Sequence, residues 1–259
     1  MENALLKNSG GDGPMNLFDL NGKVAVVTGG FRGIGNILAQ SLKEQGAKTI
    51  VIDVLCEQAE AVKEDILFLK CDVTRKEEIE KAIGLIIERY KRIDVLVNNA
   101  ALIRSGPFLE LSETEWEEVI RVNVTGVFLV TQAVGREMVK EKKGKVINIA
   151  SNLAEAGIEN FSAYGASKGA VCSLTRHLAV EWAKYGINVN AISPAATWSP
   201  MTEKKFQDPE IMKRYIADIP IGRVLVPSDL VGALIFLSSS ASDMVTGHNL
   251  HVDGGFLAR

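Results

Sequence analysis

The feature that most constrains this chain is a repeated alternation. From about residue 23 onward, short apolar, β-branched runs give way again and again to stretches of helical period. Lys23–Thr28 (KVAVVT), Thr49–Asp53 (TIVID), Ile66–Cys71 (ILFLKC), Ile93–Asn98 (IDVLVN), Lys145–Ala150 (KVINIA), Ile187–Ser193 (INVNAIS) and Asn249–Val252 read as strands. Most are apolar throughout, the pattern of strands buried on both faces. Helical stretches lie between them. Thr74 with Glu77, and Ser112 with Glu115, form capping boxes that open helices running to about Tyr90 and towards Glu141. Phe161–Tyr185 and Pro227–Ser239 are helical by period, and the polar stretch 194–225 holds a short helix. Such alternation predicts a parallel sheet with helices on both faces. No linker, repeat or low-complexity segment interrupts it. The expected organisation is a mobile Gly-rich tail, residues 1–14, before one doubly wound α/β domain, residues 15–259.

Hydrophobic residues make up 47% and charged residues 24%, which argues against a largely disordered chain. A net charge of −3 gives no bulk attraction to nucleic acid or to an anionic membrane. No apolar run reaches the ~18 residues of a membrane span. Residues 1–14 lack the apolar core of a signal peptide, so the cytoplasm is the expected compartment. Cys56, Cys71 and Cys172 form no close pair and read as buried thiols. His177, His248 and His251 show no ligand spacing, and no metal is expected.

Doubly wound sheets bind ligands beyond the carboxyl ends of their strands. The first strand runs into Thr28-Gly29-Gly30-Phe31-Arg32-Gly33-Ile34-Gly35. Glycines there allow a tight turn and let a pyrophosphate approach backbone N–H groups at a helix N-terminus. Asp53 ends the second strand, about where an acid would accept hydrogen bonds from an adenosine ribose. The chain has four tyrosines, and only Tyr164 is followed four residues later by a lysine, Lys168. That spacing places both on one helix face. A free tyrosine, with a pKa of about 10, is a poor base near neutrality, and an ammonium one turn away favours its phenolate. Ser151 ends a strand thirteen residues before Tyr164 and is placed to hydrogen-bond a substrate oxygen in the same pocket.

The glycine spacing and the Ser151, Tyr164, Lys168 set resemble the short-chain dehydrogenase/reductase family. Further phrases carry the resemblance over residues 17–259: Asp72-Val73, Asn98-Asn99-Ala100, Asn188 to Pro194, and Val252-Asp253-Gly254-Gly255. The resemblance implies hydride transfer to or from a nicotinamide cofactor, with Ser151, Tyr164, Lys168 and Asn123 catalytic. It implies cofactor contacts from Gly29, Arg32, Gly33, Ile34, Gly35, Asp53, Asp72, Val73, Asn99, Ala100, Tyr164, Lys168, Pro194 and Thr197, and a homotetramer. Three departures stand out, at Ala101, Ala195 and Arg32. Ala101 replaces the family's usual glycine, and Ala195 replaces the glycine of Pro-Gly beside the expected nicotinamide site. Arg32 suits NADP, whereas Asp53 would repel a 2′-phosphate; Asp53 is given the greater weight, which favours NAD.

Leu17-Phe18-Asp19-Leu20, Leu102-Ile103-Arg104, Glu181 to Gly186 and the ending Phe256-Leu257-Ala258-Arg259 are most similar to the bacterial sugar-acid members of the family: the 2-deoxy-gluconate, 2-keto-3-deoxy-gluconate and gluconate 5-dehydrogenases. A guanidinium pairs well with a carboxylate, so Arg104, together with Ser151 and Tyr164, is the expected substrate contact. Lys204 and Lys205 are weaker anion partners, read first as a charged helix face in the loop over the pocket. The alternatives are a 3-oxoacyl-carrier-protein reductase using NADPH and a non-catalytic nucleotide-binding regulator.

Overall fold

The computed structural model describes residues 16–259; the tail expected at 1–14 lies outside the described residues. Eight strands form one sheet in the order β3-β4-β2-β1-β5-β6-β7-β8. They are β1 (Val24–Thr28), β2 (Lys48–Asp53), β3 (Glu60–Lys63), β4 (Ile66–Lys70), β5 (Val95–Asn98), β6 (Gly144–Ile149), β7 (Ile187–Pro194) and β8 (Asn249–Val252). All pairings are parallel except that of β3 with β4. The helices are α1 (Gly33–Glu44), α2 (Lys76–Tyr90), α3 (Glu113–Ile120), α4 (Val127–Glu141), α5 (Ser162–Trp182), α6 (Glu203–Phe206), α7 (Pro209–Ala217) and α8 (Val231–Ser238).

Each central strand feeds two cores. Ala25 and Val27 of β1 join a cluster with Leu38 and Leu42 of α1 and Leu234 and Leu237 of α8. Val24 and Val26 point the other way, to Ile79 and Ile83 of α2 and Val130 and Met138 of α4. A strand apolar on both faces therefore needs helices on both sides, as the sequence implies. From β1 the chain winds one way to β2 and β4; from β5 it winds the other way to β6, β7 and β8. The reversal falls between β1 and β5, where such sheets open a crevice.

Three local expectations change. The β3 strand went unread because it is short, largely exposed and polar, as an edge strand tends to be. Its hairpin turns through Glu64 and Asp65, both at positive φ, rather than through an Asn-Gly pair. The Thr74/Glu77 capping box does not form. The helix starts one residue later, and Glu78, not Glu77, reaches back to accept the Asp72 N–H at 2.9 Å. The Thr74 hydroxyl donates instead to Asp72 at 2.8 Å. The Ser112/Glu115 box does form, but its helix is not one unbroken rod: a π-helical segment, Arg121–Gly126, separates α3 from α4.

Candidate active site

The crevice begins where β1 ends. Gly29 sits at φ +64°, and a Cβ there would meet the Ala100 Cα at 2.7 Å. A Cβ on Gly35 would meet the Gly29 carbonyl oxygen at 2.3 Å and the Asn99 Nδ2 at 2.4 Å. Glycine is thus required by backbone packed on backbone. Asn99 fastens this turn: its Nδ2 donates to the Thr28 and Gly29 carbonyls at 3.1 and 2.8 Å. The backbone N–H groups of Asn99 and Ala100 donate to the Thr28 hydroxyl. Asp53 is buried, and its carboxylate accepts from the Phe31 and Leu55 N–H groups at 3.0 and 2.9 Å, joining the end of β2 to the glycine loop.

Around this loop lies a cavity of about 360 Å³. Gly29, Arg32, Gly33, Ile34, Gly35, Asp53, Asp72, Val73, Asn99, Ala100, Tyr164, Lys168 and Pro194 all line it, which is every expected cofactor contact but one. Thr197 lines the neighbouring cavity instead, because its hydroxyl donates back to the Ala195 carbonyl and the chain turns away there. The bare glycine backbone at the N-terminus of α1, with no room for a Cβ at two positions, fits a dinucleotide pyrophosphate. Gly35→Ala is expected to weaken dinucleotide binding roughly tenfold or more, the order of an overpacking cost of 1–3 kcal/mol. Calorimetric titration with circular dichroism as a folding control measures this. An unchanged Kd would mean that the turn can yield.

The neighbouring cavity, about 260 Å³, lies under α6 and α7. Tyr164 lines both cavities, and Ser151 lines the second. Ser151 follows β6, and its Oγ accepts from the Leu153 N–H at 3.1 Å. Lys168, one turn along α5 from Tyr164, is 3% exposed. Its Nζ donates to the Ile149 carbonyl at 2.6 Å and stands 5.6 Å from the Tyr164 ring centroid. Burial pushes the Tyr164 phenol up to about 12, with the Ser151 hydroxyl opposing, and pushes Lys168 down to about 8. The first shift runs against the expectation of an acidified phenol. Withdrawal from water is the largest influence on each group, which favours the neutral phenol.

Asn123 is fully buried in the π-helical segment. It exchanges hydrogen bonds with the Leu102 backbone, at 2.7 and 2.9 Å, and donates to the Ser167 Oγ at 3.0 Å. Ser167 in turn donates to the Tyr164 carbonyl at 2.7 Å. Asn123 thereby ties the segment after β5 to α5, which carries Tyr164 and Lys168. A second buried chain was not read from the sequence: Asn98 Nδ2 donates to Asn148, whose Nδ2 donates to Thr175 on α5. The signal was an asparagine inside each of two apolar strands, which needs a partner.

Arg104 is not brought to the site. Its Nε and Nη2 donate to Glu118 of α3 at 3.1 and 2.8 Å, and it lines neither cavity. Ala195 is buried and packs into the core beside α8, on the wall of the second cavity. Among the described residues no helix is long and apolar enough to cross a membrane. Among them, no three His, Cys, Asp or Glu residues come together as a metal site.

With this geometry in place, comparison with known proteins is informative. Residues 29–257 match the family model described as enoyl-(acyl carrier protein) reductase. The chain is 45% identical to a 5-keto-D-gluconate 5-reductase of Escherichia coli, over 93% of this chain and 98% of that one. It is 39% identical to a 2-dehydro-3-deoxy-D-gluconate 5-dehydrogenase of the same species, over 95% and 99%. A crystal structure of a gluconate 5-dehydrogenase from Burkholderia cenocepacia, in complex with NADP and tartrate, superposes with a TM-score of 0.87. That protein is 34% identical, with 94% of this chain and 98% of that chain covered. A matched fold, glycine turn and Ser151, Tyr164, Lys168 constellation coincide with these likenesses along nearly the whole length, and the chain belongs to the short-chain dehydrogenase/reductase family.

Proposed function

We propose that this protein interconverts a secondary hydroxyl and a ketone on a small sugar acid, or a related polyol, with a nicotinamide cofactor. The observation that carries the reading is the position of Tyr164 on the seam between two cavities, one built from the glycine turn and one lined by Ser151. The sugar-acid class is supported by relatives named for gluconate derivatives and by a solved relative holding NADP and tartrate. The intact Ser151, Tyr164 and Lys168 set argues against a non-catalytic regulator.

Bound in the first cavity, the nicotinamide would accept or donate the hydride. Gly29 to Gly35 would hold the phosphates, Asp53 and Arg32 the adenosine ribose, Asp72 and Val73 the adenine, and Lys168 the nicotinamide ribose. Ser151 would hold the substrate oxygen. Tyr164 would take the alcohol proton during oxidation and return one during reduction. Lys168 would favour the phenolate, and Asn123 would support the proton's exit. A cytoplasmic homotetramer is the setting that the family likeness supports.

On cofactor choice, we read NAD as preferred and NADP as accepted. Asp53 lines the cavity as a carboxylate, opposed by the exposed Arg32. A panel of sugar acids and polyols, run with NAD and NADP while reduced cofactor is followed by absorbance, tests the function. Turnover of none of them would overturn it. Asp53→Asn removes the charge at nearly the same shape and keeps an acceptor for one of the two N–H groups, Phe31 and Leu55, which bond to separate carboxylate oxygens. It is expected to narrow the ratio of kcat/KM between the two cofactors. A wild-type preference for NADP would show that Arg32 outweighs Asp53.

A further inference from the structure

The second cavity contains a cation that the sequence reading set aside. Among the described residues that line it, Lys205 alone carries a formal charge, and no carboxylate joins it. Its surroundings are otherwise apolar or neutral, with Phe161, Phe206, Ile219 and Phe256 among them. Lys205 lies on α6, a single short turn held down by its neighbour Phe206. That ring is buried and packs on Trp198 at 5.5 Å and Tyr215 at 5.2 Å. The adjacent Lys205 is half-buried and lines the cavity beside it. Its Nζ stands 4.8 Å from the Phe161 ring centroid and donates to the Ser105 Oγ at 3.1 Å.

The arrangement leaves unused capacity. An ammonium has three N–H donors, and Ser105 accepts one. Ser105, as acceptor of that bond, still has its own O–H to give. No acidic side chain pairs with Lys205 in the ion pairs of the described residues, whereas Arg104, in the segment after β5, is taken by Glu118. A carboxylate entering this cavity would therefore meet one positive charge and one free hydroxyl beside the Phe161 ring. A neutral substrate would leave that charge uncompensated.

We propose that Lys205, assisted by Ser105, is the residue that selects an anionic substrate, by holding its carboxylate while Ser151 and Tyr164 engage a hydroxyl-bearing carbon of the same molecule. This rests on the sugar-acid reading above and names the group that recognises the acid. The bound carboxylate would join α6 to the segment after β5, as the Lys205–Ser105 hydrogen bond does.

The test uses D-gluconate and its neutral amide as paired probes, with wild type, Lys205→Met, Lys205→Arg and Lys204→Met. Methionine keeps the length and removes the charge. Lys205→Met is expected to lower kcat/KM for gluconate roughly tenfold to a hundredfold, mostly through KM, the range for loss of a charge-assisted hydrogen bond. The amide should lose less than about threefold, since it has no charge to leave unpaired. Lys205→Arg should restore part of the preference for the acid. Lys204→Met, on the exposed neighbour, should keep the wild-type ratio. Equal losses on acid and amide, or an unchanged ratio in Lys205→Met, would overturn the proposal while the sugar-acid reading stands. Wild-type protein that handles the amide as well as the acid would overturn the sugar-acid reading itself, and the role of Lys205 with it.

Discussion

Tyr164→Phe is expected to lower kcat roughly 10²–10⁴-fold, the usual contribution of a positioned proton donor and acceptor. The substitution removes one oxygen and leaves the ring that lines both cavities, so dinucleotide Kd should stay close to that of wild type. The pH profile adds a second readout. Burial holds the phenol near 12, so the neutral form dominates at pH 7. Oxidation needs the phenol to lose its proton and should quicken as pH rises, whereas reduction uses the protonated form and should not. Steady-state kinetics in both directions, with calorimetric titration of the cofactor, measure these effects. Turnover within a factor of a few of wild type would remove Tyr164 from the chemistry.

The second large effect is two-sided. Lys168→Met should abolish most turnover, by the roughly 10²–10³-fold that loss of a fixed charge beside a reacting group commonly costs. It should also stabilise the ligand-free protein at neutral pH. Lys168 is 3% exposed and is held near 8 instead of the ordinary 10.5. A base whose pKa is lowered by folding binds fewer protons in the folded chain than in the unfolded one. Its burden on stability is therefore complete below pH 8, shrinks as pH rises from 8 towards 10.5, and vanishes above. By linkage the full burden is about 3 kcal/mol. Part returns as a cost, because the Ile149 carbonyl loses its donor. A net gain of about 1 kcal/mol would raise Tm by roughly 2–4 °C at pH 7 for a chain of this size, and less at pH 10. Scanning calorimetry at both values decides it. A lower Tm at pH 7 would mean that the hydrogen bond to Ile149 outweighs the charge. Such a gain on losing a functional group is the trade expected where a site keeps a destabilising group for its chemistry.

The reach of the sequence varied with the range of the interaction. Strands β1, β2 and β5 were legible because a strand buried on both faces must be apolar throughout, a rule that acts residue by residue. The glycine turn was legible because a position where any Cβ would come within 3 Å of another stretch of backbone admits no side chain, and Gly29 and Gly35 meet that condition. Tyr164 and Lys168 were legible because four residues along a helix is a fixed distance, whatever packs around it. Where local signals were weak, the reading slipped by a residue or missed an element. The α2 cap fell on Glu78 rather than Glu77, and the edge strand β3 was held by pairing with β4 rather than by its own composition. Only the tertiary structure decided which of two cations lines the second cavity. Arg104 and Lys205 sit on separate segments, a hundred positions apart, and both carry long flexible side chains. Glu118 captures the first, whereas α6 places the second on the wall of the second cavity. The sign of the Tyr164 shift was decided in the same way. The sequence sets a lysine one turn away, but the loss of water around each group, the largest influence on both, depends on the whole surrounding fold.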